Sequence, residues 1–237
     1  MSLTVPAFDL LPATELPITG TEDIFPVGRI FCVGRNYADH VVEMGGDPDR
    51  EEPFFFTKPA NALTQDDVVP YPSHTEDLHH EMELVVAIGP SVAQHGMNIS
   101  VRDALSHVFG YAAGVDLTRR DLQAEAKKRG RPWDMAKGFD FSCPCSDLRL
   151  ASDIGHPESG AVKLSVDGEL KQDGDLAQQV WKVPEIVANL STYVTLRPGD
   201  LIMTGTPAGV GPLLSGQRVE GEIEGIGQVA FTVAADR

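Results

Sequence analysis

The segment His79-His80-Glu81-Met82-Glu83-Leu84-Val85-Val86 places two carboxylates two residues apart at the head of an apolar run. If the run is a β-strand, successive side chains alternate between faces, and Glu81 and Glu83 point the same way. Two carboxylates held side by side against apolar neighbours repel each other and are costly unless hydrated or neutralised. A hard divalent cation neutralises such a pair through oxygen ligands, and Mg²⁺ commonly keeps several waters as well. The exposed face of an edge strand accommodates the same spacing with water alone. Zinc is a further reading because two histidines precede the pair. However, the segment lacks the second histidine of the zincin motif, and no cysteine lies close by. Asp116 closes a run of small residues, Gly110-Tyr111-Ala112-Ala113-Gly114-Val115, that lets backbones approach closely. An acid at that strand end can join the pair as a third ligand, or simply cap a turn or helix.

These residues need elements to position them. The sequence predicts strands over Arg29–Gly34, Pro53–Phe56, His80–Ile88 and Val108–Val115, each a short apolar or small-residue run. Further strands are expected over Val162–Val166 and Leu201–Thr204, with a closing hairpin over Arg218–Val233. Asn36 is placed to cap a short helix over Tyr37–Met44 that Gly45-Gly46 would end, so that His40 and Glu43 share a face. Val101–His107 and Thr118–Gly130 read as helices, the latter stopped by Gly130 and Pro132, and Pro184–Thr192 suits a helix with proline in its first turn. Pro90–Gly96 reads as a turn. Many short strands with a few short helices give a strand-dominated α+β fold. Residues 1–25 read as an extended arm or edge strand, and 26–237 as a single catalytic domain.

Composition narrows the function classes. The formal charge is −16, from 19 basic against 35 acidic residues, which repels a nucleic-acid backbone. The basic region from Arg119-Arg120 through Lys127-Lys128-Arg129 is interrupted by Asp121 and Glu125, and reads as a solvated helix face at least as well as a binding patch. Apolar runs such as Val85-Val86-Ala87-Ile88 are too short to cross a bilayer, and the N-terminus lacks a signal-peptide layout, so a cytoplasmic location is expected. The three cysteines, Cys32, Cys143 and Cys145, are read as reduced structural thiols.

Four ordered blocks resemble the fumarylacetoacetate hydrolase family. They are Gly34-Arg35-Asn36-Tyr37-Ala38-Asp39-His40, His80-Glu81-Met82-Glu83-Leu84, the Asp116–Gln123 segment, and the Pro198–Gly211 segment. Within the family, Arg119–Gln123, Gly130–Asp140 and Phe54-Phe55-Phe56-Thr57-Lys58-Pro59 look most like fumarylpyruvate hydrolases. Those enzymes split 3-fumarylpyruvate into fumarate and pyruvate in gentisate breakdown. The resemblance implies a mixed β-roll or sandwich flanked by short helices, assembled as a homodimer. It implies Mg²⁺ or Mn²⁺ held by Glu81, Glu83 and Asp116, and a small diketo-acid substrate.

The resemblance also distributes roles. His40 would take a proton from water, with Glu43 orienting its ring. Lys137 would stabilise the enolate or carbonyl oxygen, and Gln123 would help position the water or the histidine. Arg35 and Arg120 would grip substrate carboxylates, and Thr206, in the glycine-rich Thr204–Gly211 loop, would contact substrate. That loop lacks the Gly-Lys-Ser/Thr ending of a phosphate-binding loop. Departures from the family pattern are Ala60, where many members carry serine, and Cys143-Pro144-Cys145. Relatives decarboxylate oxaloacetate-like acids or isomerise hydroxy-diene-dioates on the same metal platform, and a non-catalytic keto-acid binder is the rival of another class. Water activation needs a base, so the pairing of His40 with Glu43 favours hydrolysis.

Overall fold

The computed structural model describes residues 12–43 and 51–235, with side chains described for all of these except 41–43. The architecture is α+β and strand-dominated, with mixed sheets and short flanking helices. Its centre is a six-stranded sheet in the order Arg149–Leu150, Val108–Val115, Met82–Ile88, Leu201–Met203, Ile30–Gly34 and Phe54–Lys58. Met82–Ile88 runs antiparallel to both its neighbours, while Leu201–Met203 is parallel to Ile30–Gly34.

Met82–Ile88 is buried on both faces, in keeping with a composition that is apolar at every position except Glu83. Met82, Leu84, Val86 and Ile88 enter one core, shared with the helix Val183–Tyr193 and a five-stranded sheet. That sheet comprises Glu169–Asp175, Ala161–Val166, Arg218–Ile223, Gly227–Ala234 and Val68–Pro70. Val85 and Ala87 enter a second core with Cys32, Cys143, Cys145 and Met203. Leu16, Ile18 and Phe25 belong to this second core too, carried by a hairpin of Glu15–Pro17 and Ile24–Pro26. Residues 1–11 of the expected arm lie outside the described residues.

The expected strand over His80–Ile88 is in fact two strands. Leu78–His80 belongs to a three-stranded sheet with Thr118–Arg119 and Gly211–Leu213, and Met82–Ile88 to the central one. Glu81 is the residue between them. The partner strand switches sheets opposite, between Val115 and Thr118, and the Asp116 N–H donates to the Glu81 carbonyl at 2.8 Å. A third segment, from Met203 to Gly211, makes the same crossing. Thr118–Arg119 is therefore strand rather than helix, and the helix spans Arg120–Arg129. Gly130, with φ 62°, ends it in the left-handed conformation.

Two other expectations are corrected. Over Val101–His107 only the short 3₁₀ segment Ala104–His107 is helical, and Pro90–Ala93 is likewise 3₁₀. The helix spans Ala38–Glu43, starting two residues after Asn36. The buried Asn36 amide bridges two loops instead, donating to Trp181 O at 2.9 Å and Thr204 O at 2.7 Å, while its Oδ1 accepts from Trp181 N at 2.7 Å. Met44, Gly45 and Gly46 lie outside the described residues. No helix among the described residues is long and apolar enough to cross a membrane.

Asn36→Ala would remove a hydrogen-bond partner from the buried Thr204 carbonyl and from the partly buried Trp181 N–H and carbonyl. It is expected to cost about 1–3 kcal/mol of stability in urea denaturation, and an unchanged transition midpoint would contradict this role.

Candidate metal centre

Glu81, Glu83 and Asp116 meet where the chain passes from the central sheet to the three-stranded one. One carboxylate oxygen from each lies within 4.8 Å of the others, and all three residues are buried. Glu83 is 2% exposed and Asp116 0%, which rules out a solvated edge-strand face. Close approach is built in: a Cβ on Gly114 would stand 2.7 Å from Val85 Cγ2, so the two strands come together there only with glycine. Among the described residues no other group of three potential metal ligands forms.

Cations surround the cluster on one side. Lys137 Nζ bridges Glu81 Oε2 at 2.7 Å and Asp116 Oδ2 at 2.6 Å. Arg120 pairs with Glu81 Oε1 and donates to Gln123 Oε1 at 2.6 Å. Lys58, whose side chain is fully buried, places Nζ 2.8 Å from Asp116 Oδ1. Its donors are directed to Leu117 O at 3.2 Å, to Ser142 Oγ at 3.0 Å and to Lys137 O. Asp116 Oδ1 thus feels the charge of Lys58 while receiving no hydrogen bond.

This asymmetry splits the two glutamates. Burial alone would raise the Glu81 carboxyl, but Lys137, then Arg120 and His40, hold it well below the ordinary carboxylate range. Glu83 is pushed well above that range by burial, by Asp116 and by Glu81. Its Oε2 accepts the Gly205 N–H at 2.7 Å, a smaller compensation. Gly205 can present that N–H because it has φ 93° and no Cβ, which would sit 2.7 Å from Asn36 Cβ.

The donor set fits a hard divalent cation. It consists of carboxylate oxygens at hard-metal spacing, includes an unbonded buried oxygen on Asp116, and leaves Glu83 short of positive charge. The zinc alternative loses its histidines. His79 Nε2 pairs with Asp77 Oδ1 at 2.8 Å, and His80 Nδ1 meets Gln172 Oε1 at 3.1 Å. Burial lowers the His80 pKa to about 4, so the ring is neutral.

A pocket opens over the cluster. Arg35, His40, Arg120, Gln123, Lys137 and Thr206 all line it, together with Glu81, Glu83, Phe54, Phe56, Lys127 and Trp133. The structure therefore brings together all the expected site residues except Glu43, whose side chain is not among those described, with Asp116 buried beneath. Arg120 is committed to Glu81 and Gln123 rather than presenting an open fork, whereas Arg35 is half-exposed, 4.0 Å from Glu51. Thr206 Oγ1 accepts from Gln172 Nε2 at 2.8 Å. Sequence reasoning gave no role to Lys58 or Gln172. A lysine ending a triple-phenylalanine strand was the only signal for the first; the second reaches the site from the five-stranded sheet.

Residues 29–234 match the family model described as fumarylacetoacetate (FAA) hydrolase C-terminal. The chain belongs to the fumarylacetoacetate hydrolase family. It is similar to the crystal structure of fumarylpyruvate hydrolase from Pseudomonas aeruginosa in complex with Mn²⁺ and pyruvate, with a TM-score of 0.93 and 46% identity, covering 98% of this chain and 100% of that one. A fumarylpyruvate hydrolase from Ralstonia sp is 43% identical over 188 residues, 79% of this chain and 95% of the relative. An oxaloacetate tautomerase of Escherichia coli is 42% identical over 203 residues, 85% of this chain and 90% of the relative. Identity alone therefore places this member of the family beside both a hydrolase and a tautomerase.

Two predictions follow from the charge distribution. Divalent metal binding to the metal-free protein should displace the Glu83 proton, so affinity should rise with pH until that carboxyl is ionised. Calorimetric titration of Mg²⁺ in buffers of different ionisation enthalpy measures the release; pH-independent affinity without released protons would contradict it. Lys58→Met should destabilise the metal-free protein by about 3–5 kcal/mol, because it strips a buried carboxylate of a cation. Denaturant unfolding measures this, and a loss under about 1 kcal/mol would show the pair to be dispensable.

Proposed function

We propose that this chain is a Mg²⁺- or Mn²⁺-dependent hydrolase that cleaves the C3–C4 bond of a 2,4-diketo acid, with 3-fumarylpyruvate split into fumarate and pyruvate. The observation that carries the reading is the buried Glu81–Glu83–Asp116 cluster opening into a pocket that also holds His40. It is supported by likeness along nearly the whole chain to a fumarylpyruvate hydrolase whose structure holds Mn²⁺ and pyruvate.

Bound at the three carboxylates, the metal supplies Lewis-acid stabilisation of negative charge. The chain's own residues do the rest. The His40 imidazole takes a proton from water as the water oxygen bonds to C4, with Glu43 orienting the ring. The C3–C4 bond then breaks, its electron pair passing into the pyruvate enolate while C4 leaves as the fumarate carboxyl. His40 returns the proton to C3. Lys137, whose pKa is raised by Asp116 and Glu81 against the lowering effect of burial, stays cationic and offsets the developing charge.

Arg120 holds Glu81 ionised and orients Gln123, which lines the pocket and helps position the water or His40. Arg35, at the pocket edge, takes a substrate carboxylate. Thr206, whose oxygen already accepts from Gln172, has its own proton to donate to substrate. The protein acts in the cytoplasm as a homodimer and binds no nucleic acid, the last in keeping with its charge of −16. Phe54 and Tyr193, exposed beside the sheet edge formed by Phe54–Lys58, offer apolar surface for a partner copy.

The tautomerase relative supports a second reading, proton transfer on an oxaloacetate-like acid without bond cleavage. The two separate in one assay. Purified protein treated with EDTA should not consume fumarylpyruvate, and added Mg²⁺ or Mn²⁺ should restore cleavage to fumarate and pyruvate. His40→Ala should lower kcat by about 100-fold or more, as loss of a general base does. Absence of cleavage alongside metal-dependent enol–keto exchange of oxaloacetate would replace hydrolysis with tautomerisation.

A further inference from the structure

The pocket mouth carries charge that the hydrolytic steps leave unused. Lys127, on the helix Arg120–Arg129, lines the pocket with Arg35, Phe54 and Trp133. Its Nζ lies 5.2 Å from the centroid of the Trp133 ring. Trp133 in turn meets Phe54 edge-on at 5.4 Å between centroids and Phe56 at 5.8 Å, so the mouth has a fixed aromatic wall.

Lys127 differs from the deeper cations in having no anion of its own. Arg120 and Lys137 are paired with Glu81, and Lys137 with Asp116 as well. Among the described residues Lys127 forms no salt bridge; its Nζ contacts the Trp133 face, and the attraction of Glu81, itself paired with Arg120 and Lys137, is outweighed by the surrounding cations. Its neighbour Arg35 has Glu51 at 4.0 Å, with the Arg35 side chain half-exposed and that of Glu51 largely exposed. Partial burial lowers the Lys127 pKa, and repulsion from Arg120 and then Arg35 adds to it. An anion arriving between these cations would relieve that repulsion as well as pair with them. A chain with 35 acidic residues against 19 basic ones has no shortage of carboxylates to place there.

We propose that Lys127, together with Arg35, forms a second anion subsite that binds the carboxylate at the acyl end of the substrate. The inference rests on the reading of this chain as a diketo-acid hydrolase and names what selects the acyl group. The metal end recognises the pyruvate half common to all such substrates. The Trp133 face supports a planar conjugated acyl chain, and Lys127 rewards one that ends in a carboxylate. The preferred class is therefore an extended dicarboxylic diketo acid, and acylpyruvates with a neutral acyl tail lack this contact. Lys127, in a basic run that the sequence left open between a solvated helix face and a binding patch, acts here as a specificity residue.

The test compares fumarylpyruvate with acetylpyruvate on metal-loaded wild type, Lys127→Met and Lys127→Arg. Lys127→Met should reduce kcat/KM for fumarylpyruvate by about 10-fold or more, chiefly through KM, and change acetylpyruvate by less than about 2-fold. Lys127→Arg should recover most of the loss. Equal losses on both substrates, or none on fumarylpyruvate, would overturn the subsite. If wild type cleaves neither compound, the hydrolase reading has failed, and binding decides the subsite alone. Calorimetric titration of fumarate into metal-loaded protein saturated with pyruvate should then show binding that Lys127→Met abolishes, with crotonate, which lacks the second carboxylate, bound weakly by both. Fumarate binding that is absent, or unchanged in Lys127→Met, would overturn it.

Discussion

Three carboxylates are buried together where a β-ribbon changes sheets, and their mutual repulsion sets the terms for everything around them. Burying an unpaired carboxylate costs several kcal/mol, so a cluster of three persists only with compensating charge. Lys58, Lys137 and Arg120 provide part of it, and each approaches Glu81 or Asp116. None of the three pairs with Glu83, whose partner is a backbone N–H. The protein's own cations therefore compensate the cluster unevenly, and the deficit lies on the side where a metal would sit.

The surrounding fold follows from holding that cluster in register. The ribbon of Met82–Ile88 and Val108–Val115 is buried on both faces in the central sheet, which fixes its pleat, and hence the common direction of Glu83 and Asp116. Its continuation in the three-stranded sheet fixes the far side of Glu81. The crossing segment after Met203 brings Gly205 and Thr206 against the same point. Asn36 and Gln172 then tie that segment to neighbouring loops and to the five-stranded sheet. The site is thus spanned by three strand pairings rather than hung on one loop, which suits a centre that must keep like charges at fixed spacing.

Much of this was legible in the residues. The meeting of Glu81 and Glu83 was expected from alternation along one strand and is found, although Glu81 sits at a break between two strands; the small-residue run before Asp116 anticipated the close approach that Gly114 makes. The strand over Val108–Val115 was readable as a continuous run of apolar and small residues, and the closing hairpin from its alternating pattern. Other features depend on distant partners that no local pattern records. The break at Glu81 arises from pairing with Thr118–Arg119 and Gly211–Leu213, while the composition there looks like one continuous strand. Asn36 has a good capping residue type, but tertiary acceptors at Trp181 and Thr204 claim its amide. Lys58 and Gln172 were opaque for the same reason: each acts across more than 50 residues of sequence. The roles of His40, Lys137 and Gln123 came from family resemblance, and the structure adds that all three face one pocket.

The family resemblance and the geometry converge on the acid cluster, while relatives that hydrolyse and relatives that tautomerise lie at similar identity. A pyruvate-like end held at a metal is common ground for both, so the metal is the claim on which either chemistry stands. The direct measurement is Mn²⁺ titration followed by electron paramagnetic resonance, counting ions bound per chain in wild type and in Asp116→Asn. One tightly held ion per chain is expected in wild type, with loss of that site in the variant. No bound ion, or one that Asp116→Asn leaves undisturbed, would contradict this expectation.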